Sequence, residues 1–204
     1  MKVQNPVIDK NFPSHLPLKS AATSLPLPHA PNNSKHFKRK MSGQIMISAC
    51  LLGIQCRYDG RHSFCPGLAE FATTTPIIPF CPEQLGGLPT PRSPASMIGG
   101  DGRDVLSGKA NVVNAMGANV TEAFKKGADE SLKLARLTGT TIAVMKNKSP
   151  SCGLAIPYCE KPSDVGIGVT AALFQSNHIK VFELGSSDIF PTPDFFELME
   201  CTDP

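Results

Sequence analysis

With 204 residues, 41% of them hydrophobic and 18% charged, the chain is near the size of one domain and too apolar for whole-chain disorder. No uninterrupted apolar stretch nears the ~20 residues that a helical bilayer crossing needs, which excludes a membrane span of that kind. The net charge of +3 hides an asymmetry: residues 1–40 hold seven Lys/Arg against the single acid Asp9, so the remainder is acidic by three charges.

The opening segment carries six of the 19 prolines, no cysteine and no apolar periodicity. It cannot bury enough surface to offset its ordering entropy, and residues 1–40 read as a disordered basic leader. The run Lys38-Arg39-Lys40 reads as a solvated tail, or as an extension ahead of a start at Met41 or Met46, before it reads as an address. The leader lacks the apolar core of a secretory signal. The expected compartment is the cytoplasm, with organelle import through the leader left open.

A folded domain is expected over 41–204. Gln44 to Ala49 is a short apolar strand that stops at Cys50, followed by a loop through Asp59-Gly60. A short helix is predicted over Gly67 to Thr73. The run Thr75 to Phe80 is extended, its prolines confining it to an edge, and it ends at Cys81. Residues 82–103, rich in Pro and Gly, read as loop, and a loop of that length is usually functional. The pattern then predicts a helix from Val120 to Leu137, capped by Asn119 or Thr121, with Phe124, Ala128, Leu132 and Ala135 on one face and Gly139 just past its end. Thr140 to Met145 is a β-branched strand that leads into Cys152. Gly168 to Gln175 reads as a helix, Ile179 to Glu183 as a strand and Phe195 to Met199 as a last helical turn. The order β, α, β, loop, α, β, α, β predicts an α/β fold, a single compact domain with a mostly parallel sheet flanked by helices. Ligands of such sheets sit beyond the carboxyl ends of the strands, where Cys50, Cys81 and Cys152 would all lie.

Seven cysteines are an odd number, and without an export signal they are expected to be reduced thiols. Cys50, Cys81 and Cys152 are 31 and 71 positions apart, matching no local zinc motif, and no C-x-x-C pair exists. A site must therefore be assembled by the fold. Three converging thiolates suit a catalytic metal with an open position or an iron-sulfur cluster with one exchangeable iron; three independently buried or reactive cysteines fit the spacing equally well. Glu83, Ser149 and Ser151 stand beside these cysteines as proton handlers, or as ordinary loop and turn residues.

The strings SACLLG (48–53), CRYDG (56–60), CPEQLGGLPTPR (81–92), VTEAFKKGA (120–128), KNKSPSCG (146–153) and GVTAALF (168–174) together resemble the former domain-of-unknown-function family that includes the thiouracil desulfidases, over residues 44 to 184. The resemblance implies a four-iron four-sulfur (4Fe-4S) cluster on Cys50, Cys81 and Cys152, with one iron free of protein ligand. It further implies that the thiocarbonyl sulfur of a small thiolated pyrimidine or similar thioamide is replaced by oxygen from water. Glu83 would act as base, and Ser149 or Ser151 as positioning or relay groups. Cys56 would lie nearby without being a ligand. Cys65, Cys159 and Cys201 would be incidental. The sequence departs from the family pattern over 157–165, where Pro157-Tyr158-Cys159-Glu160 replaces an expected turn, and Asn119 stands where an Asp usually begins the long helix.

The cysteines are open to two other readings. They could hold a structural or regulatory metal in a non-enzymatic sensor or binding module. Alternatively, Cys152 could be a nucleophile, for which His62 is the one histidine in the motif region. A nucleic-acid polymer is not an expected partner: the body of the chain is acidic and has no Trp and two Tyr. The pattern does not specify an oligomeric state.

Overall fold

A strand with both faces covered reads as an unbroken apolar run, and the first element is of this kind: all four residues of β1 (Ile45–Ser48) are buried. It is the second strand of a four-stranded parallel sheet in the order β2-β1-β5-β6, with β2 at Ile77–Phe80, β5 at Ile142–Lys146 and β6 at Lys180–Leu184. The structure is a computed structural model that describes residues 44–156, 159 and 166–200. The leader 1–40, the departing segment 157–165 apart from Cys159, and Cys201 lie outside the described residues.

Successive side chains of a strand point to opposite faces, and the core divides accordingly. Ile45 and Ile47 of β1 and Ile142 and Val144 of β5 pack with Leu68 and Phe71 of α1 (Pro66–Thr74) and Phe195 of α6 (Pro193–Glu200). On the opposite face, Met46, Ala143 and Met145 meet Leu132 and Ala135 of α4 (Thr121–Leu137) and Ala171, Ala172 and Phe174 of α5 (Val169–Ser176). The sheet is thus sandwiched between helices, as the alternating pattern predicts. β2 occupies the edge, where Pro79 pairs in register with Ile47.

The expectation of loop over 82–103 is corrected. That stretch contains α2 (Pro82–Leu85), β3 (Ala95–Ile98) and the start of α3 (Gly102–Leu106), and β3 pairs antiparallel with β4 (Asn111–Asn114). Met97 and Val112 of this hairpin bury against Phe124 and Ala128 of α4, forming a third apolar cluster with Val105 of α3. Short elements bounded by Pro and Gly are stabilised here by tertiary burial, which local propensity does not register. Asp101 also caps α3 in a reciprocal capping box with Asp104.

The expected cap of α4 at Asn119 or Thr121 is corrected: the N-cap is Val120, which has no side-chain cap bond, and the two polar neighbours have other tasks. Asn119 Oδ1 accepts the Thr121 amide at 2.9 Å, whereas Thr121 Oγ1 accepts the Val112 amide at 2.8 Å and ties the helix to β4. Among the described residues no helix is long and apolar enough to cross a membrane.

Candidate active site

Because all four strands of the main sheet are parallel, their carboxyl ends share one rim, and three of the chain segments leaving it carry a cysteine. Cys50 lies in the 3-10 turn Ala49–Leu52 directly after β1. Cys81 follows β2 and precedes the first turn of α2. Cys152 lies in the turn after β5. All three line a single cavity of about 440 Å³, together with Cys56, Glu83, Arg92, Lys146 and Ser149. The separations of 31 and 71 residues thus close up in space.

Each thiol is held by local geometry. Gly53, at φ +93°, ends the turn that carries Cys50, and the Ser63 amide donates to the Cys50 carbonyl at 2.8 Å. Cys81 is placed by α2, which lies directly against α4 through Gly86 and Gly127. A Cβ on either glycine would collide with the carbonyl group of the opposing helix. Ser149 Oγ accepts the amides of Ser151 at 3.2 Å and Cys152 at 3.1 Å, so its side chain folds the turn that presents Cys152.

Two neighbours act on the sulfurs. Ser48 Oγ accepts the Lys146 amide at 3.0 Å, which fixes its lone pairs and leaves its hydrogen for Cys152 Sγ at 3.7 Å. Cys56, buried in the same cluster, lines the cavity beside Cys50 and Cys81, and the Cys81 thiol reaches the Cys56 carbonyl at 3.7 Å. At Cys56, Cys81 and Cys152 the surroundings favour the thiol over the thiolate. The hydrogen bond with Cys50 pushes Cys56 up to about 11, burial pushes Cys152 up to about 12, and the hydrogen bond with Cys56 followed by burial raises Cys81.

Glu83, in the first turn of α2, receives Arg92 Nε on Oε2 at 2.5 Å. The Arg92 side chain is 7% exposed and Glu83 14%, and Arg92 Nη1 also donates to the Cys56 carbonyl at 3.1 Å. Glu83 Oε1 has no protein partner among the described residues. Lys146 donates to the carbonyl and the side-chain oxygen of Asn147, and burial holds its ammonium below the usual lysine range. With Arg57 and Lys148, it makes the cavity wall predominantly cationic.

The remaining candidates are placed differently. Ser151 is 1% exposed and does not line the cavity; its hydroxyl meets that of Thr170 at 2.8 Å, fastening the Cys152 turn to α5. His62 is exposed, accepts the Phe64 amide on Nδ1 and is absent from the cavity wall, so Cys152 has no imidazole partner there among the described residues. Cys65 and Cys159 donate to the carbonyls of Asp188 and Ile156, away from the cavity. Sequence reasoning assigned no chemistry to Ser48, Arg92 or Lys146. Their signal was position: Ser48 and Lys146 each open, and Arg92 closes, one of the family-like strings.

The donor set fits an iron-sulfur cluster. Its wall offers soft sulfur ligands from three separate elements and no imidazole, and cations stand nearby to compensate thiolate charge. No three Cys, His, Asp or Glu side chains among the described residues close around a single-ion position. The three thiols line one cavity instead.

The chain is similar to known proteins in sequence and in fold. Residues 45–184 match the model of the 2-thiouracil desulfurase family. The uncharacterized protein YbbK of Bacillus subtilis (strain 168) is 41% identical over 140 residues, covering 67% of this chain and 93% of YbbK. The solved structure of the 4Fe-4S-dependent thiouracil desulfidase TudS superposes with a TM-score of 0.63 at 34% identity, covering 78% of this chain and 98% of TudS.

Proposed function

Since the chain belongs to the 2-thiouracil desulfurase family, we propose that it is a desulfidase exchanging the thiocarbonyl sulfur of a small thiolated pyrimidine, or a similar thioamide, for oxygen from water. The observation that supports this reading most is the meeting of Cys50, Cys81 and Cys152 at one cavity that also holds Glu83 and Ser149. In this reading the three cysteines hold a 4Fe-4S cluster. When bound, such a cluster supplies an iron without a protein ligand that acts as a Lewis acid toward sulfur.

The protein's own residues do the rest. Glu83 accepts a proton from the attacking water at Oε1, while Arg92 keeps Oε2 occupied and fixes the carboxylate plane. Ser149 has its lone pairs committed to two amides, so its O–H is the part free to donate into the cavity. Ser151 serves as a positioning residue, through Thr170. Lys146 and Arg57 present positive charge to an electron-rich heterocycle. The overall exchange of a thiocarbonyl and water for a carbonyl and hydrogen sulfide involves no net oxidation or reduction.

The test is turnover of thiouracil by anaerobically prepared protein in oxygen-18 water. One equivalent of sulfide is expected per uracil formed, with the heavy oxygen in the uracil carbonyl, and Glu83→Ala should lose turnover while keeping its iron. Sulfide release without oxygen incorporation, or full turnover by Glu83→Ala, would overturn the assignment.

A further inference from the structure

The cavity contains a fourth thiol to which the proposed chemistry gives no task. Cys56 is 1% exposed, and it lines the cavity beside Cys50 and Cys81. The Cys81 thiol reaches the Cys56 carbonyl at 3.7 Å, which joins the two cysteines directly. The loop that carries Cys56 is firmly held. Arg57 Nη1 bonds Ser63 Oγ at 2.7 Å, Arg57 Nη2 bonds Asp59 at 3.2 Å, and Arg92 clamps the Cys56 carbonyl at 3.1 Å. Two thiols are therefore kept in one cavity by separate elements, one by the loop after β1 and the other by the start of α2.

We propose that Cys56 is a redox partner of Cys81, forming a reversible disulfide when the site has lost its cluster and meets a peroxide. The step is balanced: the thiols of Cys56 and Cys81 together with one hydrogen peroxide yield the Cys56–Cys81 disulfide and two water molecules. Both S–H bonds break and one S–S bond forms. The sulfurs give up two electrons to the O–O bond, and both protons end in water.

The consequence is a lock on cluster loading. With Cys81 in the disulfide only Cys50 and Cys152 remain as donors, so the site cannot be refilled until a dithiol reduces the bridge. The bridge also withdraws Cys81 from irreversible oxidation to sulfinic and sulfonic acids. An exposed thiol would not serve in this way, whereas the walls of this cavity hold the two sulfurs together and away from other proteins.

This inference rests on the reading of Cys81 as a cluster ligand, and the experiment separates the two. The full-length protein, prepared without oxygen, is treated with hydrogen peroxide until its visible absorbance is lost. It is then alkylated and mapped by mass spectrometry, while a second aliquot is reduced with dithiothreitol and reloaded with iron and sulfide. The expected result is a Cys56–Cys81 linked peptide, and recovery of most of the original iron after reduction. Cys56→Ala should take up iron before treatment but recover several-fold less afterwards, with sulfinic or sulfonic acid at position 81. A free Cys56 thiol, a link from Cys56 to Cys50 instead, or equal recovery by Cys56→Ala would overturn the proposal. If the untreated protein holds no iron and sulfide, the cluster reading fails, while the peptide map still decides whether the two cysteines pair.

Discussion

Replacing Gly127 by alanine tests whether the contact between α2 and α4 sets the position of Cys81 and Glu83. A Cβ at Gly127 would lie 2.8 Å from the Pro82 carbonyl carbon and 3.2 Å from the Gly86 amide nitrogen, where ordinary contact begins at 3.4 Å. It would lie closer still to the Pro82 oxygen. Both obstacles are backbone, so no side chain can rotate aside, and α2 must move outward by about 1 Å. Overpacking of this kind costs about 1–3 kcal/mol, and exchanging a helical glycine for alanine returns about 1 kcal/mol. A net loss of about 0–2 kcal/mol should lower Tm by at most roughly 8 °C. The effect on turnover should be much larger, on the order of 100-fold, because displacements near 1 Å of a catalytic carboxylate are felt at that scale. Gly139→Ala is the control. At φ +64° it carries a backbone penalty, of roughly 1–2 kcal/mol, but nothing lies within 4 Å of its Cβ, so it should lose stability while keeping turnover. Thermal unfolding and sulfide release measured on both variants decide the matter. If Gly127→Ala keeps wild-type turnover, or loses no more than Gly139→Ala does, α2 does not position the site.

Four further outcomes follow from the same geometry. Arg92→Ala leaves the Glu83 carboxylate sheltered and unpaired and should cost about 3–5 kcal/mol in chemical denaturation, while Arg92→Lys should recover only part of this for want of the donors that reach the Cys56 and Pro89 carbonyls. Ser151→Ala and Thr170→Ala should each cost about 1–3 kcal/mol by orphaning a buried hydroxyl, and the double variant should cost less than the two together, as a thermodynamic cycle would show. Ser149→Ala removes the acceptor of two amides and should cost about 1–2 kcal/mol of stability; a larger loss in kcat than in affinity would separate its proton-handling role from its fold role. Ser48→Ala should keep iron but shift the cluster's reduction potential, since a hydrogen bond to the Cys152 sulfur is lost, and an unchanged potential would show that this contact does not act on the ligand.

How far the sequence exposes this structure depends on the range of the interactions. β1 and β5 are apolar runs up to their last residues, Ser48 and Lys146, and α4 repeats its apolar face over 17 residues, so their patterns survive any context. β3 and β4 are four residues each, flanked by Pro94, Gly99 and Gly100, and their pairing is stabilised by Met97 and Val112 reaching α4. Nothing local to residues 82–103 announces that packing. The same distinction holds at the site. Three cysteines at strand ends suggest a rim without any coordinates, because parallel topology brings those ends together. The roles of Ser48 and Arg92 depend on partners in other segments, Cys152 and Glu83, and emerge only when the loops are in place. Ser151 shows the converse: its neighbour Cys152 suggests chemistry, yet its hydroxyl faces Thr170 on α5.

The central claim is that Cys50, Cys81 and Cys152 together hold one iron-sulfur core. Iron and acid-labile sulfide measured per chain in protein purified without oxygen test it most directly, alongside the three single alanine variants. The account predicts four of each in the wild type and loss of both in every variant. Stoichiometric zinc in their place, or a variant that retains the full complement of iron and sulfide, would contradict it.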